Sequence, residues 1–201
     1  MKYVTNYSVD YGQRFPQKGV DDLFIKRWSP RSFKKTMIPK EILHSIFDAA
    51  RWSPSCFNEQ PWLFVTSSNE KDFGLFLDLL SEKNQVWAKN ASLIGFIFAR
   101  SNFSYDESLN RWAFFDCGAA WMALTLQASM YGLYTHGMGG IKRDEVGRRL
   151  NVPEEKYKVV CGFVIGVIDS PEKLPDELAE REIPSSRKSL TEIWKQGRLH
   201  S

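Results

Sequence analysis

Arg27, Ser29 and Arg31, in the run Arg27-Trp28-Ser29-Pro30-Arg31-Ser32-Phe33, are the residues of this chain best suited to hold an anion. Pro30 disfavours a helical backbone at Ser29, and in an extended segment alternate side chains share a side, so these residues project together. A guanidinium keeps its charge and bonds two oxygens of one anion at once, so two of them flanking a hydroxyl suit a phosphate. The same spacing occurs in solvated basic turns, and spacing alone leaves both readings open.

Three further groups could add to such a site. Ser55, Asn58 and Gln60 supply hydroxyl and amide groups in the loop that follows Pro54. Arg187 is a further cation near the C-terminus, with Lys188 beside it. Gly139 and Gly140 lack side chains, so a flat ligand could approach their backbone N–H groups closely. Gly137-Met138-Gly139-Gly140 is not a dinucleotide fingerprint, because Lys142 stands in the third glycine's place and the pattern predicts a helix before it where a strand is needed. A glycine-rich helix stop is the plainer reading of that stretch. The chain has no HExxH, GxSxG or P-loop motif, and no convincing His/Asp/Ser grouping. The set suits a phosphorylated planar cofactor better than acid-base chemistry, and such a cofactor can carry the reaction itself.

Several elements must position these residues. Val20, Leu23, Phe24 and Ile25 predict a helical turn leading into the Arg27 loop. Ile42, Leu43, Ile46, Phe47, Ala49 and Ala50 recur at helical spacing from Ile38 to Pro54, with Pro39 suited to the first helical position. That helix joins the two polar loops. Trp62–Thr66, Ser92–Ala99 and Lys158–Ile168 read as strands, the second apolar without alternation and so covered on both faces. Glu70–Leu80 reads as an amphipathic helix and Arg143–Leu150 as a polar one, with Asp144 and Glu145 suited to its first turn. Cys117–Tyr134 contains no charge and reads as a core helix apolar all round, which a second subunit would help to cover. Residues 100–110 read as an exposed loop or lid, 170–185 as a surface excursion, and 186–194 as a basic turn entering a short helix.

With 201 residues and 43% hydrophobic content the chain can bury a sizeable core in one domain. A net charge of +3 without a basic stripe speaks against nucleic acid as the principal partner. Cys56, Cys117 and Cys161 lie far apart, without disulfide or zinc spacing. The stretch Met1 to Phe15 lacks the apolar run of a signal peptide, and a reducing, cytoplasmic setting away from membranes is expected.

Taken in order, these segments resemble the nitroreductase family of flavin enzymes. The resemblance rests on Arg27-x-Ser29-x-Arg31-x-Phe33, on a helix ending Ala49-Ala50-Arg51-Trp52-Ser53-Pro54-Ser55-Cys56-Phe57-Asn58-Glu59-Gln60-Pro61-Trp62, on Asp116-Cys-Gly-Ala-Ala120, on Gly132-Leu-Tyr-x-His136-x-Met138-x-Gly140, and on Ser186-Arg187-Lys188-Ser189-Leu190. It implies an α+β domain spanning 1–201, with a mixed central sheet wrapped by helices, and an intertwined homodimer holding FMN at each end of the shared interface. It also implies an oxidoreductase that takes a hydride from NADH or NADPH onto flavin N5 and passes it to a small acceptor by a ping-pong mechanism. Nitroaromatics, quinones and activated alkenes or carbonyls are the implied acceptors. A flavin-binding protein without turnover is the alternative.

Carried over residue by residue, the resemblance gives Arg27, Ser29, Arg31 and Arg187 the phosphate and ribityl end, with Lys188 beside them. Trp28 and Pro54, inside the matching segments, are expected among the cofactor-binding residues, although Trp28, Trp87 and Trp112 also read as core or interface aromatics. Ser55, Phe57 and Asn58 are expected at the ribityl and ring edge, contributed by the partner chain, and Gln60 of the same loop is expected to bind the cofactor. The backbone around Met138, Gly139 and Gly140 is expected to face the isoalloxazine, with His136 close by. No protein side chain is expected to be catalytic. Cys56 stands where a small Ser is common, and Gly137 where a larger polar residue is familiar.

Overall fold

A computed structural model describes residues 2–198 of the chain. Its axis is the strand β5 (Tyr157–Ile168), which is long enough to serve several neighbours. β3 (Leu93–Arg100) pairs along one edge of β5, and β2 (Trp62–Thr66) pairs outside β3. On the other edge, β4 (Tyr134–Met138) pairs with Gly162–Gly166, and the short β1 (Phe33–Lys34) pairs with the end of β5 at Val167–Ile168. Where the resemblance implies a mixed sheet, each pairing described within this chain is antiparallel, because neighbouring strands enter the sheet from opposite ends. A β-bulge at Val160 shifts the register between Ile97–Cys161 and Phe98–Val159.

β3 explains its own sequence. Ile94, Phe96 and Phe98 enter one hydrophobic cluster, while Leu93, Ile97 and Ala99 enter the other. Both faces of the strand are therefore buried, and the run has no polar alternation. The first cluster lies under α3 (Glu70–Asp78), α4 (Glu82–Ala88) and α6 (Arg143–Arg149). The second lies under α2 (Lys40–Arg51) and α5 (Ala113–Met130). Burying each large aliphatic or aromatic side chain of these clusters contributes about 1.5–3 kcal/mol before the cost of ordering it.

α2 buries Ile42, Ile46 and Ala50, one residue per turn, against α5. Pro39 is its N-cap and not its first helical residue. α5 buries Ala113, Cys117, Ala120, Leu124 and Ala128 at helical spacing. The expected span is 117–134 with a second subunit helping to cover it, and within the chain the opposite face of α5 does carry exposed Phe114, Phe115 (75% exposed) and Met122, with Met130 near its end. The helix stops earlier. Gly132, at φ +75°, turns the chain out of it, and a Cβ there would lie 2.2 Å from the Tyr3 carbonyl oxygen. The N-terminal arm is strapped across this corner by Tyr3 N–H donating to the Tyr131 carbonyl (2.7 Å). Residues 134–138 consequently form β4, so a strand, and not the expected helix, precedes Gly139.

The stretch from Ser170 to Ser185 contains α7 (Asp176–Ala179) and is not wholly a surface excursion, since Leu174, Glu182 and Pro184 are buried. α1 (Asp22–Lys26), capped by the Asp21 carboxylate on the Leu23 N–H, delivers the chain to Arg27. The exposed α8 (Leu190–Ile193) is closed by a capping box between Ser189 and Glu192. No helix among the described residues is long and apolar enough to cross a membrane.

Candidate functional site

The extended Arg27–Arg31 segment behaves as its sequence requires. Trp28 and Pro30 are buried while Arg27, Ser29 and Arg31 remain partly open, the alternation expected of a non-helical chain before proline. All three open side chains line one cavity of about 540 Å³, together with Trp28, His136 and Arg187. Arg14, Arg181, Ser185 and Glu180 complete much of its wall. Residues separated by more than 150 positions thus converge on one space.

Two of the charges in that space, Arg27 and Arg187, lack acid partners, whereas Arg31 faces Glu182. Arg27 donates to Ser29 Oγ at 3.3 Å, and Arg187 Nη1 is held by the Ser185 and Ser186 carbonyls and the Ser185 hydroxyl. Neither forms an ion pair among the described residues. Burial, followed by the nearby Arg187 charge, lowers the proton affinity of Arg27. Like charges held together in a partly buried cavity favour an anion between them. Trp28 Nε1 is a buried donor without a partner, and such groups are uncommon without an acceptor to meet them. These features fit the phosphate and polar tail of FMN.

Two buried carboxylates brace the loops. Glu182 Oε1 accepts from the N–H groups of Arg31 and Ser32, the latter at 2.7 Å, and Oε2 lies 3.8 Å from Arg31 Nη1. Burial raises its pKa against the lowering effect of these donors and of Arg31. Asp116 Oδ2, at the start of α5, accepts from the Cys56 N–H at 3.1 Å and so fixes the turn after Pro54.

His136 sits on β4 with Nδ1 2.8 Å from the Pro30 carbonyl oxygen, its ring centroid 4.7 Å from that of Trp87. Burial, reinforced by the charges of Arg31 and Arg27, lowers its pKa to about 4 in spite of the carbonyl. It is therefore neutral at pH 7, with Nδ1–H donating to Pro30 and Nε2 left as an acceptor.

The remaining expected residues lie elsewhere in the chain. Pro54, Ser55, Phe57, Asn58 and Gln60 belong to a turn apart from the arginine cavity. The turn is tightly built: Gln60 N–H donates to Ser55 Oγ (2.9 Å), and Phe57, Asn58 and Gln60 all have positive φ. Phe57 is 78% exposed and meets Phe103 and Tyr105 edge-on at 5.9 and 6.1 Å. The 100–110 segment docks on this turn through Ser104, whose N–H and hydroxyl both donate to Glu59, and Phe103 is buried. Lys188 is exposed and outside the cavity wall. Met138 buries its side chain in the core, leaving only its backbone for a ligand.

The glycine pair divides. A Cβ on Gly139 would meet nothing within 4 Å, whereas one on Gly140 would lie 2.7 Å from Ser81 Oγ and 2.8 Å from Asn84 Nδ2. Gly139 leaves open space, and Gly140 allows α4 to pack. Arg14, Glu182 and the bracing role of Asp116 were missed in the sequence, since none carries a local pattern linking it to its distant partner.

The chain matches the sequence model of the Nitroreductase family over residues 25–90 and 66–167. Among solved structures, an oxidoreductase containing FMN is 43% identical, with a TM-score of 0.89 over 93% of this chain and 96% of that one. A protein from Exiguobacterium sibiricum in complex with FMN is 20% identical, with a TM-score of 0.75 over 96% of this chain and 100% of that one. An enone reductase of gut-bacterial fatty acid saturation is 19% identical, with a TM-score of 0.73 over 90% and 98%. These last two support the fold alone. No curated protein matches the sequence. The chain belongs to the nitroreductase family.

Proposed function

We propose that this chain is an FMN-dependent oxidoreductase that accepts a hydride from NADH or NADPH and delivers it to a small acceptor in ping-pong order. The observation that carries this is the convergence of Arg27, Arg31 and Arg187 on one cavity beside Trp28 and neutral His136. Membership of the nitroreductase family and the 43% identical FMN-containing oxidoreductase support it. Bound there, FMN would supply hydride transfer at its N5 between nicotinamide and a nitroaromatic, quinone or activated alkene or carbonyl.

Each protein group has a part in this reading. Arg27, Arg31 and Arg187 hold the phosphate, and Ser29 and Trp28 Nε1 bond its polar tail. His136 adds an acceptor without adding charge. The open backbone at Gly139 admits the flat ring system. A homodimer brings the partner's Ser55, Phe57, Asn58 and Gln60 to the ring end, while the exposed apolar face of α5 meets its copy. The 101–112 segment, resting on the Phe57 turn, covers the acceptor. Three free cysteines support a reducing, cytoplasmic setting. Positioning and water exclusion, not a catalytic side chain, are the protein's contribution.

Steady-state rates at several fixed acceptor concentrations test the reaction order. Parallel double-reciprocal lines are expected. Lines that intersect would require nicotinamide and acceptor to be bound together and would overturn the ping-pong scheme. Protein that remains colourless after equilibration with FMN would overturn the cofactor assignment.

A further inference from the structure

Arg14 lies outside the segments that match the family, yet it borders the arginine cavity. Its Nη1 donates to the carbonyl oxygens of Ile25 and Arg27, the latter at 2.8 Å, and its Nε donates to the Ser185 carbonyl at 3.2 Å. One planar side chain therefore joins the exit of α1, the backbone of Arg27 and the segment just before Arg187. A guanidinium holds such bonds in a fixed geometry.

Every one of these acceptors is a neutral carbonyl, and Arg14 has no carboxylate partner among the described residues. Its charge is organised but not cancelled. The proximity of Arg187 and Arg27 is visible in the lowered proton affinity of Arg14, to which burial contributes most. A strap meant only to tie the two ends of the chain could use a neutral amide. A cation placed among cations is useful where an anion will sit.

We propose that Arg14 is a positioning residue for the cofactor phosphate: it sets the Arg27 and Arg187 backbones relative to each other and adds its own positive charge to the field at the anion. This rests on the FMN reading above and extends it to the N-terminal arm. A flavin phosphate carries nearly two negative charges at neutral pH, whereas riboflavin carries none.

The test compares dissociation constants for FMN and riboflavin, measured by flavin fluorescence on full-length protein freed of flavin. The wild type is expected to bind FMN more tightly than riboflavin. Equal affinities would overturn the phosphate reading and the role of Arg14 with it. Given a wild-type preference, Arg14→Gln is expected to lower the FMN/riboflavin preference roughly tenfold, with riboflavin affinity within about twofold of wild type. An unchanged preference, or an equal loss for both ligands, would overturn the proposal while leaving FMN as the cofactor. If Arg14→Gln does not fold, Arg14→Lys decides. Lysine keeps the charge but cannot hold the three carbonyls with one fork, so the preference should fall about threefold, and an unchanged preference would overturn the proposal.

Discussion

His136 Nδ1 lies 2.8 Å from the carbonyl oxygen of Pro30, so β4 and the Arg27–Arg31 segment are joined by one bond at the cavity wall. The bond needs a proton on Nδ1 only, and burial with Arg31 and Arg27 nearby keeps the second proton off until about pH 4. With an ordinary value of 6.5 in the unfolded chain, the unfolded state binds more protons between pH 6.5 and 4. Stability gained from neutral His136 is thus full above pH 6.5 and lost as the pH falls towards 4, by up to about 3 kcal/mol. Denaturation midpoints of wild type and His136→Asn over this range should converge on acidification. Parallel curves would show that His136 titrates normally.

Arg27→Ala should weaken FMN binding roughly ten- to a hundredfold. It should not destabilise the cofactor-free protein, because removing an unpaired cation from the cluster relieves repulsion. Flavin titration and thermal melting of the apo protein check both halves. A collapse of apo stability with little change in FMN affinity would make Arg27 structural.

Glu182 shows the opposite linkage. Its folded pKa is raised above 4.5, so the stability associated with its protonated form is present below that value and is lost as the pH rises through the folded pKa. Glu182→Gln keeps an acceptor for the Arg31 and Ser32 N–H groups and should remove this pH dependence. Glu182→Ala strands both donors and should cost about 2–4 kcal/mol at pH 7. Urea melts at several pH values distinguish these outcomes; equal stability of the Ala and Gln variants would contradict the bracing role.

Phe115, exposed on the apolar face of α5, is expected to lie against a second copy of the chain. Phe115→Glu should shift the sedimentation mass from twice that of the chain towards the monomer. It should also weaken FMN binding at least tenfold, because the Ser55–Gln60 turn is expected from the partner. A monomeric variant with wild-type FMN affinity would mean that each chain builds a complete site.

The elements that could be read directly were those whose pattern is local. α2 repeats an apolar residue each turn, and the unbroken apolar run of β3 follows from burial on both faces. β4 could not be read this way. Tyr-Thr-His-Gly-Met has no alternation of its own, and its strand conformation comes from pairing with Gly162–Gly166 after Gly132 ends α5. In the site, Pro30 made the Arg27–Arg31 geometry legible. Glu182 and Arg14 were not, since the first braces Arg31 from 151 positions away and the second reaches Ser185 across 171. Only the folded chain brings such pairs together.

Anaerobic mixing of the FMN-loaded protein with NADH, and separately with NADPH, tests the oxidoreductase assignment most directly. Rapid loss of the visible flavin band with at least one nicotinamide, and its return when a quinone or nitroaromatic is added, is the predicted result. A flavin that stays bound and oxidised with both nicotinamides would make this protein a flavin carrier and contradict its assignment as an enzyme.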